Sequence, residues 1–113
     1  MGDERTDSFP PYPPTASHFV RHVAAEWGDR DLAVLDDRRL TFEAAERESA
    51  RLAEALLASG VRKGTRLGIL APNGPDWVVA FLAATRIGAV AVLLNTYWRP
   101  RELGWVLEHS DVE

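Results

Sequence analysis

Several residue types that support particular chemistries are absent or scarce in this chain of 113 residues. It has no cysteine, which excludes disulfides, thiolate metal sites and a cysteine nucleophile. Its only lysine is Lys63. No apolar run approaches the roughly 20 residues that a membrane-spanning helix requires, so we expect no membrane span.

Charge and composition narrow the class of protein further. The net charge is −4 and acidic and basic residues are interspersed, so no basic stripe indicates a nucleic-acid partner. Asp3, Glu4 and Asp7 stand where a signal peptide would carry positive charge. A hydrophobic content of 46% is typical of a globular protein. We therefore expect a soluble cytoplasmic protein.

Proline divides the chain into a leader and a domain. Residues 1–14 contain four of the seven prolines and few apolar residues at helical spacing, which predicts a flexible or extended leader. Its PPYP tract also suits a polyproline II ligand, although a plain entry segment explains it more simply. Residues 15–113 are long enough for one small domain.

Periodicity predicts two helices and a hairpin in the first half of the domain. Thr15 or Ser17 suits the cap of a helix ending near Trp27, and Thr41 suits the cap of another ending near Ser59. The residues between these helices predict a small hairpin. The stripes expected to face the core are Phe19, Val20, Val23, Ala24 and Trp27 in the first helix and Phe42, Ala45, Ser49, Leu52, Ala53 and Leu56 in the second.

The stretch from Arg66 to Thr96 predicts a β-α-β unit. Leu67–Leu70 is a short apolar run that leads into the turn formers Pro72–Pro75, whose last proline suits the first position of a helix. Gly88 ends this helix, and Ala89–Leu94 is typical of a strand covered on both faces. The unit implies an α/β fold with a mostly parallel sheet. The apolar face expected for its helix comprises Trp77, Val78, Phe81, Leu82 and Ile87.

The end of the chain predicts one more helix and the start of a strand. The helix runs from about Pro100 to His109 and is expected to turn Leu103, Val106 and Leu107 inward. Ser110–Glu113 then resembles entry into a strand that is cut off as it begins. We therefore expect the α/β fold to be truncated.

Three other patterns suggest sites but have simpler explanations. His18 and His22 have a metal-ligand spacing, but no third ligand is near in the sequence. Asp36 and Asp37 suggest an acid and a base, although adjacent residues at a hairpin tip usually face water. Residues 60–65 lack the spacing and ending of a phosphate loop, which indicates a connecting turn.

A series of short motifs follows one order along residues 15–113. They are Leu40–Glu43, Ser59–Val61, Lys63–Leu70, Pro72–Trp77, Gly88–Val90, Leu94–Thr96, Arg101–Leu103 and Ser110–Asp111. This order and spacing closely resembles the amino-terminal region of the adenylate-forming (AMP-binding) superfamily, in its acyl-CoA ligase branch. Each motif alone is short, and their common register indicates the family.

The resemblance implies a two-step reaction in the full-length parent. A carboxylate attacks the α-phosphate of ATP, giving an acyl-adenylate and pyrophosphate. The thiol of coenzyme A (CoA) then displaces AMP and forms a thioester. ATP, Mg²⁺ and CoA are thus the implied cofactors, with Mg²⁺ neutralising phosphate charge. The implied partner is a small carboxylic acid substrate.

The motifs that carry this chemistry in the family follow its amino-terminal region and do not occur in this sequence. They are a phosphate loop ending in Pro-Lys-Gly, an adenine-binding aromatic segment, a ribose-binding Asp, a hinge and a carboxy-terminal lysine. The resemblance therefore implies the amino-terminal part of an AMP-dependent acyl-CoA synthetase. We expect this part to be inactive alone, without catalytic or metal-binding residues and with poor binding of the cofactors.

The resemblance implies one candidate site, the loop after the second strand of the β-α-β unit. In acetyl-CoA-synthetase-like relatives this loop lies near the CoA nucleotide, and the matching residues are Leu94, Asn95 and Thr96. An alternative is that Asn95 satisfies backbone groups within its own turn. Leu93 replaces the proline that usually precedes Leu-Asn in the family, which frees a backbone N–H and alters the loop.

The remaining apolar residues leave two functional hypotheses. Tyr97 and Trp98 offer a stacking surface for a base or an acyl chain, or they seal this layer against the rest of a longer enzyme. The alternative function is a non-catalytic, stand-alone α/β interaction module derived from the ligase scaffold. A small domain buries little apolar surface, so we expect Val90, Val92 and Trp105 to be partly exposed and to favour self-association.

Overall fold

The structure, a computed structural model, describes residues 10–113 and has the expected order of elements. Residues 1–9 of the proline-rich leader lie outside the described part of the chain. Within that part, no helix is long and apolar enough to cross a bilayer. The elements are α1 (Ala16–Trp27), β1 (Asp31–Leu35), β2 (Arg38–Thr41), α2 (Phe42–Ala58), β3 (Arg66–Leu70), α3 (Pro75–Arg86), β4 (Val90–Leu94) and α4 (Pro100–His109).

Threonine residues cap the first two helices, as expected. The hydroxyl of Thr15 accepts a hydrogen bond from the N–H of His18 at 3.3 Å. The hydroxyl of Thr41 accepts one from the N–H of Ala44 at 3.1 Å. Each cap satisfies a backbone donor that the helix leaves free, which typically contributes about 1 kcal/mol.

The four strands form two separate pairs. β1 and β2 form the antiparallel hairpin, and β3 pairs in parallel with β4, with Arg66 opposite Val90 and Leu70 opposite Leu94. Gly88, with φ of 77°, lies between α3 and β4, where the sequence predicted a helix stop. The predicted β-α-β unit is confirmed.

The core lies where three helices meet the hairpin. α2 packs along α3, α1 packs on both helices, and α3 also contacts both pairs of strands. The expected inner face of α2 is confirmed by the burial of Ala45, Ser49 and Ala53. The buried residues of this hydrophobic core are Val20, Leu40, Ala45, Val79 and Leu82.

The buried face of α3 differs from the one expected. Its most deeply buried positions are Ala83 and Ala84, neither of which has exposed surface. Trp77 and Phe81 are only half-buried, and their rings stack on each other with centroids 5.3 Å apart. Side-chain size explains the difference, because a close helix pair takes small residues at its centre and leaves large rings at its margin.

The two ends of the described chain also depart from the expected burial. In α1, Phe19 and Trp27 are exposed, and the ring of Tyr12 from the leader lies 4.8 Å from that of His22. None of the residues of α4, all of which the structure describes, is buried, so the inward orientation expected for Leu107 is wrong. Both helices present apolar side chains to solvent.

Candidate functional site

A cleft lies at the carboxyl edge of the parallel pair. Because β3 and β4 are parallel, the loops that follow them leave the sheet at the same edge. They enclose about 380 Å³. The lining residues are Ala71, Pro72, Asn73, Trp77, Leu94, Asn95, Thr96 and Tyr97. All three residues of the expected CoA-proximal loop therefore face one cleft.

The turn Pro72–Pro75 forms the first wall of the cleft. Within this turn, Gly74 has a φ of 155°, which residues with a side chain rarely adopt. Pro75 then begins α3, so that Trp77 in the first turns of this helix reaches the cleft. The turn therefore places Asn73 of the loop and Trp77 of α3 beside the same cleft.

The loop after β4 forms the second wall, and Asn95 organises it. Its Oδ1 atom accepts a hydrogen bond from the N–H of Tyr97 at 2.8 Å, and its carbonyl accepts one from the N–H of Trp98 at 3.1 Å. Asn95 therefore satisfies backbone N–H groups within its own turn, which was the alternative to a contact with CoA. The turn leaves Tyr97 92% exposed at the rim of the cleft.

The lining limits the chemistry that the cleft supports. The lining side chains that the structure describes carry apolar, amide, hydroxyl and aromatic groups, and none of them is charged. Phosphate recognition generally relies on arginine, lysine or clustered backbone N–H groups. The side chains of the cleft therefore suit an uncharged polar or aromatic part of a ligand.

The other sequence patterns form no site in the described residues. The Nδ1 atom of His18 lies 2.6 Å from the hydroxyl of Thr15, and Nε2 of His22 lies 2.8 Å from Glu26. No group of three or more metal-ligating side chains occurs among residues 10–113. Asp36 sits in the hairpin turn with φ of 54°, and its side chain is exposed.

The stretch at residues 60–65 is a connecting turn, as expected. The N–H of Thr65 donates to the carbonyl of Arg62 at 3.0 Å, and the N–H of Arg62 donates back to the Thr65 hydroxyl at 2.9 Å. Gly64 then donates to the carbonyl of Gly88 at 2.9 Å. These reciprocal bonds occupy the backbone groups that a phosphate would need.

Four lining residues, among them Asn73 and Trp77, were not identified as site residues from the sequence. The signal that would have identified them is the shared edge of parallel strands, which places the turn after β3 beside the loop after β4. Trp77 was instead assigned to the core because of its hydrophobicity.

The fold defines a class of protein, the adenylate-forming enzymes. The N-terminal subdomain of NpsA from Klebsiella oxytoca superimposes with a TM-score of 0.82, covering 88% of this chain and 26% of that chain, at 24% identity. The anthranilate CoA ligase AuaEII in complex with anthranoyl-AMP superimposes with a TM-score of 0.81 and 26% identity, covering 95% of this chain and 20% of that chain. The expected α/β fold is confirmed.

The sequence comparison then identifies the family. Residues 20–113 match the family described as AMP-binding enzyme, and the chain belongs to this family. It is 39% identical over 99 residues to the acyl-CoA ligase sidI of Aspergillus fumigatus, covering 86% of this chain and 17% of that protein. It is 40% identical over 87 residues to the medium/long-chain-fatty-acid–CoA ligase FadD6 of Mycobacterium tuberculosis, covering 77% of this chain and 14% of that protein. The chain thus spans about a sixth of the length of these ligases.

Proposed function

We propose that this chain is the amino-terminal part of an AMP-dependent acyl-CoA synthetase, which forms an acyl-adenylate from a carboxylate and ATP and then a thioester with CoA. The match of residues 20–113 to the AMP-binding enzyme family carries the proposal. The names of the relatives, which include fungal, bacterial and mammalian acyl-CoA ligases, favour this branch. The substrate is a small carboxylic acid, and the enzyme is cytoplasmic.

The chain itself supplies scaffold and one ligand-facing loop. Leu94, Asn95 and Thr96 lie near CoA in the assembled enzyme, and their cleft accommodates an uncharged part of that cofactor. ATP and Mg²⁺ are held by the other parts of the enzyme, which carry the phosphate-binding motifs. The only lysine, Lys63, lies in the turn beside Gly88 and takes no part in adenylation. The isolated chain is therefore inactive.

The test is a titration of the ¹⁵N-labelled chain with CoA, in which the chemical shifts of the backbone amides are measured by NMR. The expected result is a saturable shift of the amides of Leu94, Asn95 and Thr96. Replacing Thr96 with Val keeps the shape of the side chain and removes its hydroxyl, which should weaken binding by about three- to tenfold. Ser59→Ala removes a hydroxyl that bonds to Ala55 within α2, and should leave binding unchanged.

Two results of this titration would contradict the proposed role of the loop. One is the absence of any shift at CoA concentrations that saturate a weak site. The other is a set of shifts confined to residues remote from the cleft. Adenosine and pantetheine, titrated separately, identify which uncharged part of CoA the cleft accommodates.

A second candidate function is the stand-alone interaction module, which the exposure of α4 favours. Trp105 is 61% exposed, and α4 makes few contacts with the other described elements. The coding sequence downstream of codon 113 separates the two functions. A phosphate-loop motif in the same reading frame supports the ligase, whereas a stop codon supports the module.

A further inference from the structure

The tip of the β1–β2 hairpin lies against the turn that forms the first wall of the cleft. Leu35 ends β1 and Arg38 begins β2, so the two residues flank the hairpin turn. A space of about 150 Å³ lies between the tip and the turn Pro72–Pro75. Ala71, Pro72 and Asn73 line both this space and the cleft. The hairpin therefore contacts the same loop that faces the cleft.

The first contact is an ion pair. Nη1 of Arg38 lies 2.6 Å from Oδ1 of Asp76, which is in the first turn of α3. The two side chains are 49% and 75% exposed, so solvent screens their attraction. Exposed pairs of this kind contribute at most about 1 kcal/mol to stability. The pair links the hairpin to the first turn of α3.

The second contact is steric. Cδ2 of Leu35 lies only 3.0 Å from the position that a Cβ atom on Gly74 would occupy. A side chain at position 74 would therefore require the side chain of Leu35 to move. The φ of 155° at Gly74 is a second reason that glycine suits this position.

We propose that Leu35 and Arg38 are positioning residues for the cleft. They hold the turn Pro72–Pro75 from the side of the hairpin, and through it they set the positions of Asn73 and Trp77. A change at the hairpin tip should therefore alter ligand binding in a cleft that neither residue lines. The identity of the ligand as CoA rests on the proposed function, whereas the coupling between hairpin and turn does not.

The hairpin offers a matched control for each residue. Val34 precedes Leu35 and is exposed, but it does not line the space against the turn. Arg39 follows Arg38 and pairs with Asp31 inside the hairpin. Truncating Val34 or Arg39 thus changes the same hairpin by the same chemistry without touching the turn.

The first measurement uses the unliganded chain. The four variants Val34→Ala, Leu35→Ala, Arg38→Ala and Arg39→Ala are compared by the NMR resonances of the Asn73 side-chain amide and the Trp77 indole N–H. The resonances should move in the Leu35 and Arg38 variants and stay in place in the two controls. Arg38→Lys keeps a cation opposite Asp76 and should restore them. Equal changes in all four variants, or in none, would overturn the proposal.

The second measurement is CoA affinity in the same variants. Loss of either hairpin contact should weaken CoA binding by about two- to fivefold, while both controls bind like the unsubstituted chain. If the unsubstituted chain binds no CoA but the resonances still respond, the proposed CoA-binding role of the loop fails and the positioning role stands. If CoA binds with equal affinity to all variants, the positioning role is contradicted.

Discussion

Arg86 of α3 forms an ion pair with Glu46 of α2 across the interface of the two helices. The arginine side chain is 11% exposed and that of the glutamate 28%. Nη1 of Arg86 also lies 3.4 Å from the hydroxyl of Ser49, which is fully buried and donates to the carbonyl of Glu46 at 3.3 Å. A polar network of three side chains thus joins α2 and α3.

Removing the carboxylate of this pair should destabilise the domain. Glu46→Gln leaves the guanidinium of Arg86 largely enclosed without its counter-charge, which should lower the free energy of unfolding by about 1–3 kcal/mol. Glu43→Gln is the matched control, because Glu43 and Arg47 form an exposed pair 3.7 Å apart on the same helix. Its effect should be a few tenths of a kcal/mol. Urea unfolding measures both, and equal losses would contradict a special role for Glu46.

Enlarging a small residue at the α2–α3 interface should also destabilise the domain. Ala83 is fully buried, so Ala83→Leu forces the helices apart and should cost about 1–3 kcal/mol. Ala55→Leu adds the same side chain at an exposed position of α2 and should change stability little. Thermal unfolding of the two variants gives the comparison. Similar melting temperatures for the two variants would contradict the prediction, because they would show that the interface accommodates a leucine at position 83.

The last residues of the chain lie along the free edge of β3 and depend on Gly68. The N–H of Glu113 donates to the carbonyl of Arg66 at 2.9 Å. A Cβ atom on Gly68 would lie 3.1 Å from Cδ1 of Leu94 and 3.3 Å from Cγ1 of Val112, so Gly68→Val should displace this segment as well as the side chain of Leu94. Hydrogen exchange at the Glu113 amide should then become faster. Gly104→Ala, which meets open space on α4, should leave that exchange unchanged.

Local signals in the sequence were sufficient for most of the fold. Capping by Thr15 and Thr41, the stop at Gly88 and the register of apolar runs depend on neighbouring residues, and these predictions are confirmed. The buried face of α3 was predicted only in part, since hydrophobicity favoured Trp77 and Phe81. Which face is buried depends on how closely α2 approaches, and that distance is a property of the tertiary structure.

The residues of the candidate site could be predicted from the sequence only in part. The family resemblance predicted Leu94–Thr96 as site residues, and their contact with CoA remains a prediction. The contacts of the hairpin tip with Gly74 and Asp76 join residues almost 40 positions apart in the chain. Nothing in the local pattern of Leu35 or Arg38 indicates such a contact, because it arises only when the hairpin packs on α3.

Exposed apolar residues should make the isolated chain associate with itself. Val90 is 47% exposed and Trp105 61%, which confirms the exposure expected from the size of the domain. Sedimentation at increasing concentration should therefore show a rising average mass. Val90→Thr and Trp105→Gln should reduce this association, whereas Val34→Thr on the hairpin should not. A monomer at all concentrations would contradict the prediction.

We propose that this chain carries the scaffold of an AMP-binding enzyme without its adenylation chemistry. The most direct test is ATP–pyrophosphate exchange by the purified chain of 113 residues, with Mg²⁺ and a panel of aliphatic and aromatic carboxylic acids. A full-length acyl-CoA ligase in the same assay is the positive control. We predict exchange indistinguishable from the background without protein. Exchange that rises with the concentration of the chain and depends on the added acid would contradict the claim.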